Sequence, residues 1–298
     1  MKRFKKILAV ISDEVSTDAA MDWLACVAAH SQADGVDLLA CTRAVLAEYP
    51  GTGGGDGDGG SDRLVEIGRA AAGALEGHPT ELIESSDDPL GATLKRLTSG
   101  EYDLVVVPVD GPSTRGLAER LARKSPVGVL VLPEAAPVPP RRILAALDFS
   151  DLADLTLDWA EAFATLHPKG ARLEAVHVLD LTLRTRATMV RDAGRLRDDI
   201  RDAADWQMRA FLKEHARDAS KWKHRLVEGQ LPGSELASLV EREADLLVIG
   251  CHGRNALSIA LLGSNTAEVV RHSRRPVLVV RRKNQNLGFL RELVGLEN

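Results

Sequence analysis

The chain contains the same set of segments twice, and this internal repeat limits the possible folds more than any other feature of the sequence. Four segments of the first half return in the same order in the second half: KKILAVIS (5–12) as RRILAALD (141–148), Asp22-Trp23 as Asp158-Trp159, YDLVVVPVDG (102–111) as ADLLVIGCHG (244–253), and SPVGVLVLP (125–133) as RPVLVVRR (275–282). Such an ordered set indicates a duplicated unit. The proline-rich stretch 134–140 lies between the copies, so we predict two domains, 1–138 and 139–298.

Within each unit, short apolar runs alternate with amphipathic stretches. In the second unit, the spacing of Leu155, Trp159 and Phe163 predicts a helix over 151–165. Further helices are predicted over 234–243, with Ser234 as N-cap, and over 264–272. Strands that alternate with helices indicate a parallel sheet covered on both faces. We therefore predict an α/β fold made of two tandem doubly wound parallel-sheet sandwiches, with about five strands each.

Charge and composition exclude several classes of partner. The 38 Lys and Arg against 43 Asp and Glu give a net charge of −5, which provides no general attraction to nucleic acid or to anionic membranes. No apolar run approaches the ~18 residues of a membrane helix. The three cysteines lack CxxC spacing, which favours free thiols in a reducing cytoplasm. The arginine-rich stretch 184–202 also carries many aspartates, which favours a salt-bridged helix over a nucleic-acid patch.

The segment GCHGRNALSIALLGSNT (250–266) directly follows a buried apolar run and has the spacing G-x2-G-x9-G-S. Gly250 and Gly253 let the backbone approach a ligand closely. The pair Gly263-Ser264 begins a helix, whose first-turn N–H groups can bind phosphate, and the hydroxyls of Ser264 and Thr266 can contribute. A glycine-rich turn with an N-cap is the alternative. The spacing is neither a Walker loop nor a dinucleotide G-x-G-x-x-G motif.

With these motifs in place, the sequence resembles the universal stress proteins in their tandem, two-domain form, whose fold is Rossmann-like (adenine nucleotide alpha hydrolase-like). In the nucleotide-binding branch of that family, the same segments hold ATP. The resemblance implies a stress-response protein that binds ATP, or AMP or ADP, with Mg²⁺ as a potential companion of the phosphates. It further implies that the last strands of the two units pair, and that two chains associate into a homodimer.

Carried over by position, the resemblance assigns Asp148 and Val178 to the adenosine, with Ala146 and Leu147 lining the pocket. It assigns the ribose and phosphates to the glycine segment, through these residues: Gly250, His252, Gly253, Arg254, Gly263, Ser264, Asn265 and Thr266. Cys251 and His252 are adjacent, which is poor spacing for two ligands of one zinc ion. His177 is interpreted as a core histidine, with the rim of the pocket as the alternative.

The first unit departs from this pattern. Ser12 stands where its twin has Asp148, Pro108 stands where its twin has Gly250, and no G-x9-G-S follows. We therefore predict that the first unit is a degenerate scaffold, with Arg115 and Arg120 making a poor phosphate site. No catalytic set is visible in the sequence. Two alternatives to nucleotide binding alone remain open: a nucleotide-free interaction module, and a slow ATPase or autokinase.

Overall fold

A computed structural model describes residues 4–12, 18–41, 77–85, 88–99, 101–133, 137–179, 193–253 and 262–284, together with residues 68, 70, 73 and 75. Strands and helices alternate throughout this part of the chain. The first half contains β1 (Lys6–Ser12), α1 (Asp18–Ser31), β2 (Gly35–Cys41), β3 (Thr80–Ser85), α2 (Pro89–Leu97), β4 (Leu104–Val109), α3 (Pro112–Lys124) and β5 (Gly128–Pro133). The second half contains β6 (Arg142–Ala146), α4 (Ala153–Ala164), β7 (Arg172–Leu179), α5 (Ala193–His215), β8 (Trp222–Glu228), α6 (Pro232–Glu243), β9 (Leu246–Gly250), α7 (Ser264–His272) and β10 (Val277–Val280).

The ten strands form one continuous sheet in the order β3-β2-β1-β4-β5-β10-β9-β6-β7-β8. Neighbouring strands are parallel, apart from β5 and β10, which pair antiparallel with Leu130 opposite Leu278. Counted outward from the central pair β5 and β10, the strands of each half follow in the same order: fifth, fourth, first, second and third. The predicted α/β class with doubly wound parallel strands is confirmed.

The central strands are buried on both faces because helices cover the sheet on each side. Every residue of β4 and β5 is buried, and β10 is buried along its whole length. Apart from Pro108, Gly128 and Pro133, these strands consist of Val and Leu, as expected where both faces of a parallel sheet are covered. Among the described residues, every helix is too short or too polar to serve as a membrane span.

The two halves also share a polar contact at the beginning of their first strands. One Asp103 carboxylate oxygen accepts the N–H groups of Lys5 and Lys6, at 2.7 and 3.3 Å. In the second half, Asp245 accepts the N–H groups of Arg141 and Arg142, at 2.9 and 3.0 Å. An aspartate at the beginning of the fourth strand thus fixes the first strand in both halves.

Aromatic side chains pack the two halves together beside the sheet. The Trp159 ring of α4 lies 5.0 Å from the Phe4 ring of the first half, centroid to centroid. Trp159 also covers Gly128 of β5 so closely that a Cβ atom there would stand 2.5 Å from the indole. Phe163, one turn later on α4, contacts Phe4 at 5.7 Å. This packing requires the absence of a side chain at position 128.

One prediction of local detail is wrong. Helix α6 begins at Pro232 with Leu231 as N-cap, so Ser234 lies inside the first turn, where its hydroxyl donates to Glu268 at 3.3 Å. Proline is well suited to the first helical position because its fixed φ is already helical.

The salt-bridged helix predicted for the arginine-rich stretch is confirmed from residue 193 onward, where Arg197 and Arg201 of α5 pair with Glu228 on β8. Residues 184–192 of that stretch lie outside the described residues.

Candidate functional site

The carboxyl ends of β6 and β9 create a crevice in the second half. The two strands are neighbours, with Ala146 opposite Ile249. From β6 the chain crosses to β7 on one side, and from β9 it crosses to β10 on the other. The connections therefore leave in opposite directions, which opens a gap at the sheet edge where ligands of doubly wound proteins bind.

Asp148 and Gly253 meet in this crevice. A Cβ atom built on Gly253 would lie 2.4 Å from Oδ2 of Asp148, a distance at which two atoms cannot coexist. The other carboxylate oxygen, Oδ1, accepts the N–H of Ser150 at 3.0 Å. The turn after β6 therefore aims Asp148 at the first part of the glycine segment, and only glycine fits opposite it.

The two ends of the connection 251–263 are also held together. The N–H of Gly263 donates to the Cys251 carbonyl at 2.8 Å. A Cβ atom on Gly263 would stand 3.4 Å from Cα of His252, an ordinary contact distance. Gly250, Gly253 and Gly263 thus lie in one small region, as the sequence predicts.

Helix α7 begins at this point, with Gly263 as its N-cap. Ser264 and Asn265, its first two residues, are exposed. The first turn of a helix presents N–H groups without an intrahelical partner and carries a partial positive charge. This end of α7 can therefore receive an anionic group beside Gly253 and Gly263.

Thr266 differs from the expectation that its hydroxyl would bind phosphate. It is buried, and its Oγ1 donates to the Gly250 carbonyl at 2.7 Å. This bond fixes the first turn of α7 to the end of β9. The position is three residues into a helix that folds back over its own strand, so its hydroxyl points at the strand and away from solvent.

The residues expected around an adenosine fall into two groups. Ala146 and Val178 are half-buried at the ends of β6 and β7, where they can contact a ligand. Leu147 is 3% exposed, its N–H donates to the Val176 carbonyl, and its own carbonyl accepts from His177. Leu147 therefore contributes to the wall of the site mainly by filling the core behind it. Arg254 lies outside the described residues.

Sequence reasoning missed Phe149. Its φ is +58°, a left-handed conformation that costs a bulky side chain energy. Its ring packs 4.8 Å from the His177 ring and 5.6 Å from the Phe211 ring, centroid to centroid. His177 Nδ1 lies 2.6 Å from the Leu147 carbonyl, to which it must donate. These contacts hold the turn that carries Asp148, and an aromatic residue directly after the strand-end aspartate is the signal in the sequence.

Cys251 and His252 contact each other next to the site. Both are buried, and Cys251 Sγ lies 3.1 Å from His252 Nδ1. Burial raises the pKa of the Cys251 thiol. Burial also lowers the pKa of His252, although Asp151 lies 3.7 Å from its Nε2 and acts in the opposite direction.

The equivalent place in the first half has a different form. Only Asp110 and Gly111 separate β4 from α3, whereas residues 251–263 separate β9 from α7. The Thr114 hydroxyl accepts hydrogen bonds from the N–H groups of Asp110 and Gly111, both at 3.2 Å. The N–H groups directly before α3 are therefore already bound by a side chain of the helix itself. Arg115 points away from this helix end and donates to carbonyl groups of the second half.

Comparison with known proteins identifies the family. Universal stress protein MJ0577 of Methanocaldococcus jannaschii is 32% identical over 163 residues, which cover 48% of this chain and 96% of that protein. The chain belongs to the universal stress protein family. The family model described as "Universal stress protein family" matches residues 140–281, which contain the whole candidate site.

Solved structures extend the family fold to the first half. A protein of unknown function from Pseudomonas aeruginosa PAO1 matches with a TM-score of 0.69 at 20% identity, over 99% of this chain and 98% of that one. A universal stress protein from Archaeoglobus fulgidus DSM 4304 matches with a TM-score of 0.58 at 19% identity, over 94% and 97% of the two chains. These structures share the fold over nearly the entire length, which is consistent with the two-domain form of universal stress proteins.

Proposed function

We propose that the second unit, 139–298, binds an adenine nucleotide, ATP or its products AMP and ADP. The first unit, 1–138, then serves as a pseudo-symmetric scaffold. The observation that carries this proposal is the meeting of Asp148, Gly253 and Gly263 at the gap between β6 and β9. An acidic group at one strand end and a glycine-lined helix beginning at the next are suited to a sugar hydroxyl and a phosphate chain, respectively.

Each part of the nucleotide has a counterpart among the described residues. Ala146 and Val178 would contact the adenosine, and Asp148 would accept a hydrogen bond from it. The phosphates would lie against the first turn of α7, where Ser264 and Asn265 are exposed. His252 would support the segment from beneath because its ring is buried. A Mg²⁺ ion, when bound, would neutralise phosphate charge, which α7 alone offsets only in part.

We propose that the first unit binds no nucleotide, or binds it much more weakly than the second. Its short connection leaves no segment equivalent to 251–263, and the Thr114 hydroxyl already occupies the N–H groups before α3. The proposal also includes the cytoplasm as location and a homodimer as the assembly. The free thiols Cys26, Cys41 and Cys251 are suited to a reducing compartment.

Titration of the protein with a fluorescent ATP analogue tests the proposal. The variant Gly263→Val with Ser264→Ala removes the phosphate end, and position 263 accepts a side chain because its φ is −61° and its nearest contact would be 3.4 Å away. Gly111→Ala, at the N-cap of α3 with nothing within 4 Å, is the matched control. We expect wild type and control to bind and the double variant to lose binding. Failure of the wild type to bind would refute the proposal.

Nucleotide recovered from the natively purified protein provides a second test. Mass spectrometry of the heat-released ligand would identify ATP, ADP or AMP directly. Steady release of phosphate from ATP by the wild type, abolished in the double variant, would add hydrolysis to the proposed binding.

A further inference from the structure

Arg115 of the first unit holds the far end of α7. Its Nη1 donates to the carbonyls of Val270 and Ser273, at 3.2 and 2.9 Å. Val270 lies in the last turn of α7, and Ser273 is its C-cap. The last carbonyls of a helix have no partner within the helix, so the guanidinium supplies what the helix end lacks. A cation at this end also interacts favourably with the helix dipole.

Glu119 adds a second contact one turn later on α3. Its two carboxylate oxygens accept hydrogen bonds from Nη2 of Arg271, at 2.9 and 3.0 Å. Arg271 belongs to the last turn of α7. Two side chains of α3, four residues apart and therefore on one face, thus engage the same helix end.

Helix α7 is short, so contacts at its C-terminal end also orient its N-terminal end. Nine residues span about 13 Å at 1.5 Å per residue. At its beginning, Thr266 is bound to β9, and Gly233 of α6 packs so closely that a Cβ atom there would stand 3.0 Å from Cα of Asn265. Arg115 and Glu119 of α3 hold the C-terminal end of the helix. Together they set the direction in which the first-turn N–H groups point.

The internal repeat relates Arg115 to a position at the candidate site of the second unit. When the helix C-caps Ser125 and Ser273 are aligned, Arg115 falls opposite Gly263, the N-cap of α7. The same position of the repeat thus lies at the candidate phosphate end in one unit and supports the neighbouring helix in the other. Its side chain is half-buried between the units, where charge-assisted hydrogen bonds are strong.

We propose that Arg115 is a positioning residue for phosphate binding: it holds the C-terminal end of α7, and through α7 the first unit sets how tightly the second unit binds the phosphate chain. This inference rests on the proposed function. It assigns the first unit a role beyond that of a scaffold, because the contact comes from α3, the helix that follows the shortened connection.

The test compares ATP with adenosine, which lacks phosphates. Arg115→Met keeps the aliphatic stem and removes Nη1, which donates both hydrogen bonds. We expect the affinity for ATP to fall roughly five- to tenfold, as for a residue that acts on the ligand through another element, while the affinity for adenosine changes less than about twofold. Arg115→Lys retains one cation and should give an intermediate loss. Both affinities are measured by isothermal titration calorimetry on the full chain.

Arg217→Met is the matched control. Like Arg115, Arg217 contacts two groups of one helix, but these are the carboxylates of Asp158 and Glu161 on α4, at 3.3 and 3.2 Å. It should leave the ratio of ATP to adenosine affinity unchanged. An unchanged ratio in Arg115→Met, or an equal loss of both ligands, would overturn the inference and leave the proposed function standing. Absence of ATP binding to the wild type would overturn both. If Arg115→Met does not fold, the ratio in Arg115→Lys decides.

Discussion

The carboxylate of Asp148 lies directly against the backbone of Gly253, with no room for even a methyl group between them. The two residues stand 105 positions apart and meet only because β6 and β9 are neighbours in the sheet. Their contact joins the acidic strand end to the glycine segment, so each residue limits what its partner can be.

We predict that Gly253→Ala destabilises the protein by about 1–3 kcal/mol, as for overpacking of a closed site. The added Cβ would lie 2.4 Å from Oδ2 and would force the carboxylate or the segment to move. Urea unfolding measures the loss. In an Asp148→Ala background the same substitution should cost much less, because the opposing oxygen is gone. Equal costs in both backgrounds would show that the contact with Asp148 is not the cause.

Thr266→Val tests whether the hydroxyl acts as a brace. The substitution keeps the shape of the side chain but leaves the Gly250 carbonyl without its 2.7 Å donor. The free energy of unfolding should fall by about 1–3 kcal/mol, whereas Thr266→Ser, which keeps the hydroxyl, should lose about 1 kcal/mol or less. Thermal and urea unfolding provide the comparison. A Val variant as stable as the wild type but weaker in binding ATP would instead assign the hydroxyl to the phosphates.

Gly128→Ala should weaken the packing between the two halves. The new Cβ would stand 2.5 and 2.8 Å from two atoms of the buried Trp159 indole, which is rigid and enclosed. We expect a loss of about 1–3 kcal/mol in the free energy of unfolding. Gly116→Ala, inside α3 with nothing within 4 Å, is the control and should gain about 0.5–1 kcal/mol. Unfolding that is unaffected by Gly128→Ala would mean that the indole can shift at little cost.

Stability should fall as the pH drops below 6.5 because of His252. Burial lowers its pKa below the usual 6.5, so the unfolded chain takes up a proton at a pH where the folded protein does not. The contribution of His252 is therefore complete above 6.5 and is lost as the pH falls from 6.5 towards the lowered pKa. Urea unfolding at pH 7.5, 6.5 and 5.5 measures this slope. The slope should be smaller in His252→Gln, and an identical slope in that variant would contradict the assignment.

The repeat and the apolar periodicity were sufficient to predict the fold class and most elements. Helix α7 occupies 264–272 as predicted, because a glycine before a short amphipathic run marks its beginning clearly. The beginning of α6 was misplaced by two positions, since Pro232 and Ser234 both favour helix beginnings and only one can define the boundary. The salt bridges of the arginine-rich helix could be predicted, but not Glu228 as the partner of Arg197 and Arg201, because Glu228 lies on β8 and local charge patterns do not encode that contact.

Some features of the candidate site could likewise be predicted from the sequence, and others could not. Motif spacing indicated Gly253 and Gly263, and the strand end indicated Asp148. The inward direction of Thr266 and the left-handed turn at Phe149 depend on how α7 and α5 pack over the strands. From the sequence, Arg115 is interpretable only as part of a poor phosphate site of its own unit. Its carbonyl partners lie 155 and 158 residues away, and only the pairing of β5 with β10 brings them within reach.

The antiparallel pairing of β5 with β10 has a consequence for how such a chain can evolve. When two identical subunits associate, any inherited change appears at both sites at once, so a change that spoils binding spoils it twice. Here the two partners are encoded separately within one polypeptide. One of them could shorten the connection after its fourth strand and devote the following helix to its neighbour, while the other kept its glycine segment intact.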